Sequence, residues 1–247
     1  MGPFTEQERY SFDLQGFVVR RGVLDADELA TIHQAIDDLK IPTPGADIAS
    51  QRFSGFLTHE VFRTLMDHEA VLRPVVELCG PTVRLDHCYG IIMSPGTSGL
   101  GLHGGAVPYD PAQSYNVHDG QMFNGLVAVH WALVDHPKGA GGFCCVPGSH
   151  KANFALPDPH DPSLVLDVEL RAGDVVFFTE ALTHGTMPWL GPAQRRSLFF
   201  KYAPGFLAWG RSYESELNDH GLRALLTDRQ RLLVQFPAVY PHEPVMP

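Results

Sequence analysis

Cysteine and long apolar runs are scarce in this sequence, and each scarcity excludes a class of protein. Four cysteines occur among 247 residues, Cys79, Cys88, Cys144 and Cys145, and their spacing matches neither a CxxC metal site nor a disulfide framework. The adjacent pair Cys144 and Cys145 is therefore interpreted as buried strand residues in a reducing compartment. No stretch approaches the roughly 18 to 20 consecutive apolar residues that a membrane-spanning helix needs, so no membrane partner is expected.

Basic residues are also few. The chain carries 18 Lys and Arg against 28 Asp and Glu, a formal net charge of -10. Binding to DNA or RNA depends on clustered Lys and Arg, so polymeric nucleic acid is not an expected partner. The negative net charge does not exclude a single small anion as a ligand. Residues 1–20 lack a basic start followed by an apolar run, which predicts a cytoplasmic location.

The front of the chain has helix signals. Thr5 and Asp25 are predicted to be the N-caps of two helices, because each precedes acidic residues and an amphipathic pattern. Residues 41–55 are rich in Pro, Gly and Ser and are predicted to form a loop. Residues 59–78 are predicted to be helical again, with an interruption at Pro74.

From residue 83 onward, short strand-like runs separated by Gly, Pro, Asp and Asn dominate. These runs are 83–93, 123–134, 143–146, 164–170, 174–178 and 197–202. The polar residues 115–120 are predicted to form a loop, and Thr227 to start a late helix. Helices followed by strands predict a mainly β fold, a double-stranded β-helix or jelly roll with supporting helices.

We expect one domain over residues 1–247. It would comprise a helical part at 1–80, a β core at 81–202 and a C-terminal segment at 203–247. That segment is predicted to act as a lid or a dimer contact, so the chain would be a monomer or a homodimer.

Two histidine motifs carry the chemistry. His103 lies in the sequence LHGG, His184 lies 81 residues later in THGT, and Arg195 follows eleven residues after His184. Imidazole is a common ligand for iron, and a guanidinium can form two parallel hydrogen bonds to a carboxylate. Thr186, two residues past His184, would lie on the same face of an extended segment.

Four segments in a fixed order resemble the phytanoyl-CoA dioxygenase family. They are GFCCVPGSHK at 142–151, AGDVVFF at 172–178, LTHGT at 182–186 and QRRS at 194–197. The resemblance implies a jelly roll that uses iron(II), 2-oxoglutarate and O2. It further implies that His103 and His184 bind the metal, that Arg195 pairs with the far carboxylate of 2-oxoglutarate, and that Thr186 supports that carboxylate. His150, in the PGSH turn, would be structural.

Gly105 departs from the family pattern, in which His-x-Asp or His-x-Glu completes a triad of two histidines and one carboxylate. Alternation along a strand would place residue 105 on the side of His103, where glycine offers no ligand. The pattern then resembles the iron/2-oxoglutarate halogenases, in which chloride binds the iron beside a small residue. The segments LHGG, HGTMPW and RRSLFFKYAPG are further similar to enzymes of nucleoside-antibiotic pathways that chlorinate the sugar 2′ carbon of a deoxyadenosine nucleotide. Gly105 is therefore the predicted halide site.

Other interpretations of the metal site remain open. A carboxylate from elsewhere, such as Asp110, Asp119 or Glu180, or else water, would fill the third position and make the protein a hydroxylase of a small metabolite. A non-catalytic jelly roll that binds a metabolite is a further alternative. The pair His118 and Asp119 offers a histidine beside a carboxylate, but adjacent strand residues face opposite ways.

The substrate contacts are less defined by the sequence. Arg196 would exchange roles with Arg195 if the strand register differed by one residue. His130 is a candidate contact to a small-molecule substrate. It and Trp131 are neighbours on one strand, so only one of them can face the interior of the barrel. Residues 106–122, directly after the first histidine motif, are the predicted substrate-recognition loop.

Overall fold

The computed structural model describes residues 2–42, 50–210, 217, 219–239 and 242–246. The helices of this part lie at both ends of the chain. They are α1 (Glu6–Gln15), α2 (Ala26–Asp38), α3 (Glu60–Met66), α4 (Glu69–Cys79), α5 (His220–Leu225) and α6 (Asp228–Leu233). None of the helices in these residues is long and apolar enough to cross a membrane.

The strands of the described residues occupy the middle of the chain. They are β1 (Phe17–Arg20), β2 (Gln51–Phe53), β3 (Arg84–Met93), β4 (Leu100–His103), β5 (Tyr115–His118), β6 (Gln121–Asn124), β7 (Val127–Ala132), β8 (Gly142–Cys145), β9 (Leu166–Asp167), β10 (Val175–Thr179), β11 (His184–Met187) and β12 (Arg195–Ala203). A six-stranded sheet has the order β1-β10-β7-β12-β3-β2, and a four-stranded sheet has the order β4-β11-β8-β9. Strands β5 and β6 form a separate hairpin, and the pairings are antiparallel.

The two faces of the six-stranded sheet bury different apolar layers. One face packs between the sheets in a cluster that includes Phe143 and Phe178. The other face packs against the helices in a larger cluster that includes Trp131 from β7 and Leu233 from α6. Alternation along each strand sends neighbouring side chains into these two layers. The architecture confirms the predicted mainly β jelly roll with supporting helices.

The helix starts follow the capping signals of the sequence. The side chains of Thr5 and Asp25 each accept a hydrogen bond from the backbone N–H three residues later. The glutamate at that later position accepts one in return from the backbone N–H of the cap residue. Thr227 forms the same reciprocal arrangement at the start of α6. The three predicted helix starts are confirmed.

Pro74 does not interrupt a helix as predicted, because it lies inside α4. A proline at this position cannot donate to the carbonyl four residues earlier, which belongs to Ala70. Arg20 donates to that carbonyl from Nη1 at 2.7 Å and supplies the missing partner. The break between α3 and α4 instead falls at Asp67 and His68.

Two predicted loops contain strands. Residues 43–49 of the loop predicted at 41–55 lie outside the described residues, but Gln51–Phe53 pairs with β3 as an edge strand. Residues 115–118 pair with β6, and the hairpin turns through Asp119 and Gly120, both with positive φ. An Asp-Gly pair between two short runs is a hairpin signal, so the loop prediction for 115–120 was wrong.

The C-terminal segment belongs partly to the helical layer. Leu222, Leu233 and Val245 are buried in the same cluster as the front helices. Trp209, which is about half exposed, stacks on the ring of His87 at 5.7 Å near one end of the six-stranded sheet. The predicted roles of this segment as a lid or dimer contact stay predictions.

Candidate functional site

His103 and His184 meet on neighbouring strands. His103 ends β4 and His184 begins β11, and the two are direct partners in the antiparallel register. Their ring centroids are 4.3 Å apart. Two histidines that lie 81 residues apart in the sequence are therefore brought to one spot by a single strand pairing.

Backbone carbonyls fix both rings in the same way. His184 Nδ1 donates to the carbonyl of Leu182 at 2.7 Å, and His103 Nδ1 donates to the carbonyl of Gly101 at 3.0 Å. A neutral ring that carries its proton on Nδ1 presents a lone pair at Nε2, which is the form that binds metals. Burial lowers the pKa of His184 to about 4, which keeps that ring neutral. The pair fits a divalent metal ion held through two Nε2 atoms.

Gly105 does not continue the strand of His103. Strand β4 ends at His103, and Gly104 and Gly105 have φ values of +79° and +108°. A Cβ at residue 105 would lie 2.9 Å from Oγ1 of Thr183. The prediction that residues 103 and 105 share one strand face was therefore wrong, because the left-handed backbone turns the chain after His103.

Carboxylates do not complete a triad here. Within the residues that the structure describes, no three His, Cys, Asp and Glu side chains are arranged to hold a metal ion. Asp110 and Asp119 are exposed, and Asp110 accepts from the backbone N of Ala112. Glu180 is buried, with Oε1 3.9 Å from Nε2 of His184, and it is paired with Lys201. Of the three carboxylates considered from the sequence, Glu180 is the one beside the histidines.

The PGSH turn supports both histidine segments. Ser149 accepts at Oγ from the backbone N of Thr183 at 2.7 Å, and its carbonyl accepts from the backbone N of Ala106 at 3.2 Å. The neighbouring His150 is buried, and its Nε2 donates to the carbonyl of Asp13 at 3.0 Å. The turn thereby ties the chain after His103 to the chain before His184.

Arg195 is buried between the two sheets, on β12 and beside Gly142 of β8. The side chain has no exposed surface, and its Nε and Nη2 atoms have no hydrogen-bond partner. Burial lowers the pKa of Arg195 to about 10, so it stays positively charged at neutral pH. A buried cation with two free donors requires an anionic partner, and a carboxylate fits both donors. Arg196 faces the other way and pairs with Asp37 at 2.7 Å.

His136 lies beside Arg195 at Gly142, and no sequence pattern marks it. Both of its ring nitrogens are buried without a hydrogen-bond partner. A Cβ at Gly142 would lie 3.2 Å from Nδ1 of His136 and 3.4 Å from Nε of Arg195, so the glycine leaves room where these groups meet. Burial, followed by the charge of Arg195, lowers the pKa of His136 to about 2. Arg195 and His136 thus present a charged guanidinium and a neutral imidazole side by side, each with unpartnered nitrogen atoms.

Four rings stack in a row across β3, β12 and β7. The centroids of His87 and Tyr89 are 5.9 Å apart, those of Tyr89 and Phe199 5.1 Å, and those of Phe199 and His130 4.5 Å. His130 faces the interior and its neighbour Trp131 faces the helices. The role of His130 as a substrate contact stays a prediction.

Thr186 lies on β11 opposite Phe143 of β8 and is half-buried. Strand β11 carries it on the same side of the sheet as His184, two residues earlier. Its predicted contact with a cosubstrate carboxylate stays a prediction.

A surface cavity of about 660 Å³ opens at His103. Its wall includes His103, Gly105, Val107, Phe154 and His160. Phe154 is 86% exposed, so its ring is accessible to a ligand in this cavity. Only the start of the predicted loop 106–122 reaches this cavity, and Phe154 was not singled out from the sequence.

Comparisons with known proteins agree with this geometry. The family model of phytanoyl-CoA dioxygenase (PhyH) matches residues 12–197, which is three quarters of the chain. The crystal structure of HygX from Streptomyces hygroscopicus with nickel and 2-oxoglutarate bound is 31% identical, with a TM-score of 0.76 over 84% of this chain and 90% of HygX. The epimerase SnoN from nogalamycin biosynthesis, 23% identical with a TM-score of 0.63 over 81% of this chain and 83% of SnoN, shares the fold.

A curated relative extends the comparison. Ectoine dioxygenase of Streptomyces avermitilis is 24% identical over 161 residues, which cover 61% of this chain. The match spans about half of the length of ectoine dioxygenase, 53%. With the family model, the HygX likeness and the two-histidine site in place, the chain belongs to the phytanoyl-CoA dioxygenase family of iron(II)- and 2-oxoglutarate-dependent enzymes.

Proposed function

We propose that this protein is an iron(II)/2-oxoglutarate-dependent halogenase that chlorinates an unactivated aliphatic carbon of a small soluble substrate. The observation that carries the proposal is the pair of adjacent histidines followed by Gly105, which has no side chain to offer as a metal ligand. An iron ion held by two imidazoles keeps a position that an anion can fill.

The residues present fit the iron and its cosubstrate. His103 and His184 would hold iron through Nε2, and Arg195 would hold the far carboxylate of 2-oxoglutarate with its two free donors. Thr186 is proposed to support the same carboxylate. When bound, iron with 2-oxoglutarate and O2 supplies the oxidising power that removes hydrogen from an aliphatic carbon.

The overall reaction balances with chloride as the halogen source. One C–H bond, one chloride, one proton, 2-oxoglutarate and O2 give one C–Cl bond, succinate, CO2 and water. The chain itself must hold the substrate and keep water away from the reacting carbon. The apolar rings of Phe178 and Phe143, with centroids 4.8 Å and 6.4 Å from that of His184, suit the second task.

The substrate is proposed to enter through the cavity at His103. Its volume of about 660 Å³ suits a small molecule, and Phe154 offers an exposed ring for a planar group. A deoxyadenosine nucleotide is the first substrate to test, on the strength of the sequence resemblance. The net charge of -10 disfavours a polymeric nucleic acid.

Hydroxylation is the second candidate function, because Glu180 lies 3.9 Å from Nε2 of His184. If this carboxylate bound the iron, the site would have two histidines and one carboxylate, as in the non-haem oxygenases. The relative named ectoine dioxygenase is consistent with such chemistry.

Mass spectrometry of reaction products separates the candidates. Protein loaded with iron(II) and 2-oxoglutarate is supplied with O2 and a panel of small metabolites that begins with deoxyadenosine monophosphate, with chloride, with bromide and without halide. A halogenase gives chlorinated and brominated products that depend on the halide, together with equimolar succinate, and His184→Ala gives neither. The halogenase proposal is rejected if every substrate that drives succinate formation gives only hydroxylated product at high chloride. Absence of succinate across the panel would favour a non-catalytic binding protein.

A further inference from the structure

A buried ion pair lies directly beside the proposed iron position. Glu180 follows the last residue of β10, and Lys201 lies on β12. Lys201 Nζ contacts Oε1 of Glu180, and both side chains are almost fully buried. The same Oε1 atom is 3.9 Å from Nε2 of His184.

The position of Glu180 is close to that of a metal ligand without reaching it. Two ligands at right angles around a metal, each at about 2.1 Å, lie about 3.0 Å apart. The 3.9 Å between Glu180 Oε1 and His184 Nε2 exceeds this separation by about 1 Å. A movement of the Glu180 carboxylate by about 1 Å toward Nε2 of His184 would bring the two atoms to the separation of two ligands on one metal, provided that nothing held the carboxylate back.

Lys201 is well placed to hold Glu180. The ammonium lies 5.0 Å from the ring centroid of Phe178, 5.8 Å from that of Phe199 and 6.0 Å from that of Tyr89. These rings enclose the charge in apolar surroundings, where an ion without its counter-ion is costly. Releasing Glu180 to a metal would leave Lys201 buried and unpaired.

We infer that Lys201 is a positioning residue that keeps Glu180 off the iron and thereby keeps the third protein-ligand position open for chloride. The part of this inference that concerns chloride rests on the proposed function. The part that concerns Glu180 and the metal does not depend on which product the enzyme forms. Gly105 removes the carboxylate expected from the sequence motif, and Lys201 restrains the carboxylate that the fold places nearby.

The first experiment measures metal affinity rather than activity. Cobalt(II) is titrated into full-length protein with 2-oxoglutarate, by calorimetry and by visible absorption, for the natural protein, Lys201→Met, Glu180→Gln and the double variant. Lys201→Met frees a carboxylate ligand, so its cobalt affinity should rise by roughly tenfold or more. Glu180→Gln should leave the affinity within about threefold of the natural protein, because Glu180 is not a ligand there. The double variant should lose the gain.

Matched variants separate this effect from a general loss of positive charge. Lys151→Met removes a half-exposed lysine whose carboxylate partner, Asp13, is 3.4 Å away, and should not change cobalt affinity. Lys201→Arg keeps the charge and should behave like the natural protein. Lys201→Met should also be less stable without metal, and cobalt should raise its melting temperature more than that of the natural protein.

Two results would overturn the inference. One is an unchanged or weaker cobalt affinity in folded Lys201→Met. The other, which does not need that variant to fold, is a loss of roughly tenfold or more in cobalt affinity on Glu180→Gln, because Glu180 would then already be a ligand.

Products and spectra distinguish failure of the inference from failure of the proposed function. If both hold, chloride changes the cobalt absorption of the natural protein but not of Lys201→Met, and Lys201→Met yields hydroxylated in place of chlorinated product. If the halogenase proposal alone fails, chloride has no effect on the natural protein, yet Lys201→Met still gains Glu180-dependent affinity. If the inference alone fails, the natural protein chlorinates and Lys201→Met shows neither the affinity gain nor the product change.

Discussion

The rings of His103 and His184 face each other across the pairing of β4 with β11, with centroids 4.3 Å apart and each Nδ1 bound to a backbone carbonyl. Because the backbone carbonyl acceptors and the strand register fix both rings before a metal arrives, little reorganisation is needed to bind one. Ser149 joins the segments that follow and precede these histidines. The metal position is thus determined by backbone geometry.

Removal of either histidine should abolish metal binding. His103→Ala and His184→Ala each leave one imidazole, and two imidazoles are the protein ligands proposed for the iron. Anaerobic calorimetry with iron(II) should show loss of binding, and turnover should cease. His118→Ala, which removes an exposed histidine on the β5–β6 hairpin, is the matched control. Near-normal affinity in either ligand variant would disprove the assignment.

Loss of Arg195 should act on the cosubstrate. Arg195→Ala removes a buried cation with two unpartnered donors, so the KM for 2-oxoglutarate should rise by the equivalent of about 2 to 5 kcal/mol, far more than the KM for the substrate. Thr186→Ala should give a smaller change of the same kind. Arg196→Ala loses an ion pair with Asp37 on the outer face and should leave both constants unchanged. A large defect in Arg196→Ala instead would mean that the roles of the two arginines are reversed.

Local signals in the sequence were sufficient for much of the fold. Thr5, Asp25 and Thr227 cap helices through contacts within three residues, so a short window contains the cause. Strands β3, β7, β8, β10 and β12 also coincide, within a few residues, with the predicted strand-like runs. Strand β2 was missed because Gln51–Phe53 is held by pairing to the distant β3 rather than by its own composition. The helix interruption predicted at Pro74 was wrong because Arg20, which donates to the carbonyl that the proline leaves free, lies far away in the sequence.

The site was only partly predictable for a related reason. The histidine motifs and Arg195 are visible as sequence patterns, but His136, which lies beside Arg195, is marked by no pattern. The environment of Glu180 depends on Lys201 from another strand. A lysine within the apolar run SLFFKYA was a usable signal, because a buried strand tolerates such a charge only with a partner. Which carboxylate would pair with it requires the fold.

Burial of His136 should make the protein less stable in acid. The folded pKa is about 2, whereas an unfolded histidine has a pKa of about 6.5. Between these values the unfolded chain binds a proton that the folded chain does not. The free energy of unfolding therefore decreases as the pH is lowered, by up to about 1.4 kcal/mol per pH unit. His136→Phe should reduce this slope between about pH 6 and about pH 5 in urea denaturation of the metal-free protein. An unchanged slope, equal to that of the control His118→Phe, would contradict the assignment.

Phe154 should contribute to substrate binding without supporting the fold. Its ring is 86% exposed at the cavity that contains His103. If a planar base stacks on it, Phe154→Ala should raise the substrate KM by the equivalent of about 1 to 3 kcal/mol, with little change in the melting temperature or in the KM for 2-oxoglutarate. Phe206→Ala removes another exposed ring, one that lines a separate depression, and should leave the substrate KM unchanged. Equal effects from both variants would argue against a specific contact.

Substitution of Gly105 tests the halide position directly. The φ of +108° and the 2.9 Å between a Cβ and Thr183 Oγ1 predict strain for any side chain, so Gly105→Ala and Gly105→Asp should each lose about 1 to 3 kcal/mol of stability. For a chain of this length that corresponds to a fall in melting temperature of about 2 to 4 °C per kcal/mol.

The two variants share the backbone strain and differ in the carboxylate, so the composition of their products separates the effect of the strain from that of the carboxylate. Gly105→Ala should still incorporate chloride at a reduced rate, whereas Gly105→Asp should incorporate none, because a carboxylate competes with the halide for the iron. Equal chlorinated fractions from the two variants would mean that residue 105 does not face the metal.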